Sequence, residues 1–214
     1  MAESDMEARF IIFDLETGGP DAKRHPIIQL AAIAINETFD VLEAFEAKLR
    51  FDPTKANASS LRKSSYHPGI WANEAGEPRR VAVDFAAFLR RHATTSALSS
   101  KGAAYHVAQL VAHNAAFDSP FLSNWYEQVG LFLPAYRQVL CTLQLAMWRF
   151  AVSGEKPPAN FQLATLCAHF GVPFHAAKAH EALGDAAATV QLLTAILFED
   201  AQAGRRAAKS RRFD

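Results

Sequence analysis

The sequence predicts an α/β fold, one sheet with flanking helices, and three observations predict it. A chain of 214 residues, half of them hydrophobic, can bury one sizeable core, so a single domain over residues 1–203 is expected rather than two small ones. Its first 51 residues carry three apolar or alternating runs joined by connections too short for helical crossovers. The remainder alternates helical periodicity with short apolar runs.

Taken in order, "FIIFDLETGG" (10–19) opens with four apolar residues, Phe10 to Phe13, which read as a strand buried on both faces. A Gly/Pro-rich turn leads to "IIQLAAIAIN" (27–36) and then to "VLEAFEAKLRF" (41–51). In the latter, Val41, Phe45, Leu49 and Phe51 alternate with polar positions such as Glu46, Lys48 and Arg50. These three strands are expected to form an antiparallel meander. Residues 52–77 are rich in Ser, Asn, Pro and Gly and read as a partly helical surface segment. Its Tyr66 and Trp71 are expected to anchor the core, with stacking on bases as the alternative.

"EPRRVAVDFAAFLRRHA" places Val81, Phe85, Phe88 and Leu89 at three-to-four spacing, an amphipathic helix, and a Ser/Gly-rich loop follows. A strand near "AQLVAHN" (108–114) precedes a helix for which Ser119 suits the cap, Pro120 the first helical position and Gly130 the exit. That reading puts Asp118 on the lip of the helix. Next come a short strand at Val139–Cys141, a helix to about Phe150, and a helix in "FQLATLCAHF" with Asn160 as cap and Gly171 as exit. The last helix is expected from Gly184 to Phe198. Phe85, Phe88, Phe121, Trp125 and Trp148 fall at helical spacings and read as core.

Basic and acidic residues balance at 22 each, so the whole-chain charge favours neither nucleic acid nor an acidic partner. The last eleven residues, "GRRAAKSRRFD", hold five of the bases and one acid, leaving 17 bases against 21 acids over residues 1–203. Residues 204–214 read as a basic, disordered tail, with a phosphate-binding arm as the alternative. Cys141 and Cys167 sit in apolar surroundings and read as buried free thiols. "MAESDMEARF" lacks the basic start and apolar core of a signal peptide, and no apolar run reaches about 18 residues, so a soluble cytoplasmic protein without a membrane partner is expected.

In a strand, residues two apart share a face, so Asp14 and Glu16 project together while Leu15 points away. They stand at the strand's carboxyl end, where open sheets place ligands. Alone, the pair reads equally well as two solvated acids or as hard oxygen ligands for Mg²⁺ or Mn²⁺. "HNAAFD" (113–118) and "HEALGD" (180–185) move the balance, since each brings an Asp to a helix start. His180 and Asp185 are spaced to lie on different sides of one helix, so His180 is expected on the preceding loop, leaning toward the acids. Four acids and a histidine make a constellation for two-metal phosphodiester hydrolysis. His106, His113, His169 and His175 lack the paired spacing of a zinc site. His113 and Asn114 close a strand and read chiefly as hydrogen-bond partners of the motif loop, with Asn114 also a candidate substrate contact.

In order, "FDLETGG", "HNAAFD" and "HEALGD" resemble the three motifs of the DEDDh (DnaQ-like) exonucleases, the family of bacterial polymerase proofreading subunits, RNase T and oligoribonuclease. The resemblance runs from about residue 9 to 198 and is weakest over 52–77. It implies an RNase H-like fold, a mixed sheet with the antiparallel meander plus parallel strands. It also implies that Asp14, Glu16, Asp118 and Asp185 hold two Mg²⁺ or Mn²⁺ ions and that His180 is the general base. The implied reaction is removal of single nucleotides from the 3′ end of DNA or RNA, single strands above all. Thr17 is retained where relatives often carry a second Thr at the position of Gly18, so contacts to the terminal sugar are expected to differ. Phe117 would pack beside the terminal base, and the backbone after Glu16, at Thr17 and Gly18, would meet the 3′ hydroxyl. Some such proteins dimerise and others join a polymerase. A noncatalytic nucleic-acid-binding or polymerase-associated module on the same fold is the alternative, and the intact acids and histidine argue against it.

Overall fold

The computed structural model describes residues 7–174 and 181–210, with side chains through 198. Three strands come first: β1 (Phe10–Thr17), β2 (Ile27–Ile35) and β3 (Val41–Lys48). β1 pairs antiparallel with β2, and β2 with β3, the expected meander. Helices α1 (Ala58–Lys63) and α2 (Pro68–Glu74) follow, preceded by a 3-10 turn at Pro53–Lys55. Then come α3 (Pro78–Arg91), β4 (Thr95–Leu98), β5 (Ala104–Val107), β6 (Leu110–Ala112) and α4 (Ala115–Val129). The chain continues through β7 (Leu140–Cys141), α5 (Thr142–Ser153), α6 (Leu163–His169) and α7 (Ala182–Ser210). The main sheet has the order β3-β2-β1-β6-β7, with β6 parallel to β1 and β7 parallel to β6.

The pleat of β1 sorts its side chains between two cores. Ile11, Phe13 and Leu15 join Phe85, Phe88, Phe121 and Trp125 on the α3/α4 side. Ile12 turns the other way and packs with Ala186, Val190 and Leu193 of α7. Because residues two apart share a face, Asp14 and Glu16 continue the Ile12 row and so face α7. Phe85 and Phe88 are fully buried, each worth roughly 1.5–3 kcal/mol of apolar burial, and Phe45 of β3 lies on both rings at 5.2 and 5.7 Å.

Several expectations shift. Val41 is 60% exposed, because the β2–β3 register slips between Ala34 and Ile35 and turns the start of β3 outward. The expected loop after α3 contains the two-stranded β4–β5 hairpin, closed over a tip in which Gly102 takes φ of 79°. α4 begins at Ala115, not at Pro120. Asn114 adopts left-handed geometry (φ 60°), which turns the chain from β6 directly into the helix. Ser119 then lies inside α4 with its hydroxyl on the Ala115 carbonyl at 2.6 Å, while Gly130 ends the helix as expected. Asn160 is not the cap of α6: Gln162 holds that place, and the Asn160 side chain accepts its N–H at 3.0 Å. Trp148 is 69% exposed on the outer side of α5 rather than in the core. Cys141, on the edge strand, is half-buried, whereas Cys167 is buried and both are free. α7 continues past Phe198 to Ser210, into the basic segment. No helix among the described residues is long and apolar enough to cross a membrane.

The segment after β3 is folded back onto the sheet. Trp71 is buried and its Nε1 donates to the Ile28 carbonyl at 3.1 Å, and Tyr66 packs edge-on between Phe51 and Trp71. Both aromatics anchor, as the first expectation had it.

Candidate active site

β1 and β6 run parallel, so both end at the same edge of the sheet, and the acids gather there. Asp14 and Glu16 come from the end of β1. Asp185 comes from the first turn of α7, one residue before the Ala186 that packs near Ile12. Ligand oxygens of these three lie within 4.8 Å of one another. Asp118 arrives from the first turn of α4 and is 4% exposed, with the backbone at Leu15 hydrogen-bonding its carboxylate.

This much negative charge in a partly buried place perturbs titration. Burial, and then the neighbouring Asp118, Asp185 and Glu16, hold the Asp14 carboxyl well above the usual range. Glu16 is pushed up to about 8 by burial first and then by Asp185 and Asp118. Asp118 rises to about 7 through burial, opposed by the backbone hydrogen bonds at Asp118 and Leu15. The donors are all carboxylate oxygens, hard ligands suited to Mg²⁺ or Mn²⁺, and a cation between them would relieve their mutual repulsion. The residues present therefore fit divalent metal.

The acids open onto a cavity of about 850 Å³. Thr17, Asn114 and Phe117 line it. Thr17 is tied down, its hydroxyl donating to the Gly19 carbonyl at 2.9 Å. Gly18 is not among the lining residues. Its N–H donates to Pro26 at 2.8 Å, its carbonyl accepts from Asn57 at 2.6 Å, and a Cβ there would stand 2.9 Å from both Ala56 Cβ and Pro26 Cδ. A threonine at this position would collide with the incoming segment, which accounts for the departure from the usual motif.

His113 is a stitch rather than a ligand. Its Nδ1 lies 2.9 Å from Thr142 Oγ1 and its Nε2 3.0 Å from the Phe161 carbonyl, and burial lowers its pKa. His180 lies outside the described residues. The sequence did not single out Phe161, Gln162 and Phe174, or Ser60 and Lys63, all of which line the cavity. Asn160, two residues before Gln162, was the nearest signal.

A mixed sheet of this strand order, flanked by helices, has the RNase H-like fold. The RNase T exonuclease family model matches residues 101–193. The PolC-type DNA polymerase III of Halalkalibacterium halodurans is 31% identical over 189 residues, 88% of this chain and 11% of the polymerase. That of Bacillus subtilis is 28% identical over 200 residues, 92% and 12%. The chain thus spans about a tenth of the length of these relatives. Among solved structures, the zinc-bound complex of E. coli exonuclease I with single-stranded DNA aligns with a TM-score of 0.70 at 17% identity, over 90% of this chain and 41% of that one. The same enzyme with a dT13 oligonucleotide aligns at 0.67 and 18%, over 93% and 42%. The family match, the polymerase relatives and the exonuclease I structures together support a DnaQ-like exonuclease family for this chain.

Proposed function

We propose that this chain is a divalent-metal-dependent 3′-5′ exonuclease that releases nucleoside monophosphates from the 3′ end of single-stranded nucleic acid in the cytoplasm. The observation that carries the reading is the convergence of Asp14, Glu16 and Asp185 within 4.8 Å, with Asp118 beside them, on one open cavity. With two Mg²⁺ or Mn²⁺ ions bound, such a site neutralises the scissile phosphate and stabilises the leaving oxygen. The chain's own residues divide the remaining work. The four acids hold the ions, His180 accepts the proton of the attacking water, Thr17 orders the turn that meets the terminal sugar, and Phe117 and Asn114 flank the terminal nucleotide. DNA is favoured over RNA because the relatives are DNA polymerases and the similar structures hold DNA oligonucleotides. The same relatives favour a proofreading setting beside a polymerase over a homodimer.

Polarity tests the proposal. An oligonucleotide with a 3′ phosphate should resist digestion, while a 5′ phosphate should leave it open to attack. The reverse pattern would overturn the assignment. Within it, His180→Gln should lower turnover about 10²- to 10⁴-fold, the usual contribution of a positioned base.

A further inference from the structure

Four acids dominate the cavity, yet the proposed substrate carries a phosphate at every nucleotide. The scissile phosphate goes to the cations. The next phosphate along the strand must lie elsewhere in the same groove, where carboxylates would repel it. Among the described residues lining the cavity, Lys63 is the one lysine or arginine. It ends α1, and Ser60, one turn earlier on the same helix, also lines the cavity. No described acid pairs with Lys63, in contrast to Lys48, which is bound to Glu74 at 2.9 Å.

The helix that carries it is fixed to the catalytic strand from both ends. Asn57 N–H, at its start, donates to the Gly18 carbonyl at 2.6 Å, just beyond Glu16 and Thr17. After its end, Ser65 Oγ donates to Gln29 Oε1 at 3.1 Å, and Gln29 is the β2 partner of Glu16. The lack of a Cβ at Gly18 lets Ala56 approach this closely. A short helix so anchored holds Lys63 at a set distance from the acids, while its flexible stem leaves the ammonium free to follow a phosphate.

We infer that Lys63, assisted by Ser60, binds the phosphate immediately 5′ of the scissile one. The inference rests on the proposed exonuclease reading and deepens it. Two dinucleotides test it: TpT, whose only phosphate is scissile, and pTpT, which adds the phosphate in question. In the wild type the added phosphate should raise kcat/KM about tenfold, as expected of a charge-assisted contact at an accessible site. Lys63→Met should lose most of that gain, chiefly through KM, and Lys63→Arg should keep it. In Ca²⁺, binding of a fluorescein-labelled dT oligonucleotide by Lys63→Met should show a log K against log salt slope shallower by about 0.7, the share of one phosphate on a single strand. An undiminished pTpT advantage with an unchanged slope would overturn the role of Lys63, as would an equal loss on TpT and pTpT. A wild type inert on every strand would instead overturn the exonuclease reading, and the salt slope would then decide Lys63 alone.

Discussion

Asp14 on β1 and Asp185 on α7 bring carboxylate oxygens within 4.8 Å of each other, although they stand near opposite ends of the chain. Ile12 and Ala186, packed in one apolar cluster directly beside them, bring the strand and helix together, so apolar contact holds together two carboxyl groups whose ionised forms repel. Ionising both places an electrostatic load on the fold that a bound cation would relieve. Asp14→Asn or Asp185→Asn should raise the metal-free melting temperature by about 2–4 °C for each kcal/mol of repulsion relieved. The same substitutions should lower nuclease turnover by about 10²-fold or more. Calorimetry in chelator, beside a turnover assay in Mg²⁺, checks both. A variant that is destabilised without metal would count against the load.

Stability without metal should fall as pH rises. Glu16, held near 8, and Asp118, near 7, bind protons in the folded state that the unfolded chain, with ordinary carboxyls near 4, has already released. The folded state thus carries more protons between about pH 4 and 8, and stability drops with pH across that window. Melting curves in chelator from pH 5 to 8.5 should descend, and divalent cation should flatten them. A rising curve in chelator would contradict the repulsive cluster.

The His113 stitch gives a prediction of a different kind. Deleting the ring as His113→Ala leaves Thr142 Oγ1 and the Phe161 carbonyl without it, a cost of about 1–3 kcal/mol. Since Phe161 lines the cavity, KM for oligonucleotides should rise more than kcat falls. Steady-state kinetics and thermal melts read the two effects. An unchanged KM would confine His113 to the fold.

What the sequence disclosed and withheld follows from range. "FIIFDLETGG" was legible because a buried strand that ends in two acids is locally anomalous, and "HNAAFD" and "HEALGD" repeat the anomaly at helix starts. The meander was legible because its connections are short. By contrast, Phe161, Phe174 and Lys63 reach the cavity only through packing between distant segments. The start of α4 was misread because Ser119 and Pro120 are local signals for a cap, whereas the turn is made by Asn114 in left-handed geometry. Trp148 obeys helical spacing yet faces outward, since spacing gives a helix its faces without saying which one a sheet will cover. The β4–β5 hairpin has strands of only four residues, Thr95–Leu98 and Ala104–Val107, too short for an alternating pattern to stand out.

If the carboxylate cluster makes this chain a metal-dependent nuclease working from the 3′ end, digestion must depend on the metal, on Asp14 and on the 3′ terminus. The most direct measurement is digestion of a 5′-labelled single-stranded DNA oligonucleotide by the wild type in Mg²⁺, in Mn²⁺ and in excess chelator, with Asp14→Asn alongside. A ladder of labelled strands shortened one nucleotide at a time is expected in either metal, and none in chelator or with Asp14→Asn. Equal digestion in chelator, or release of the label as the first product, would contradict that expectation.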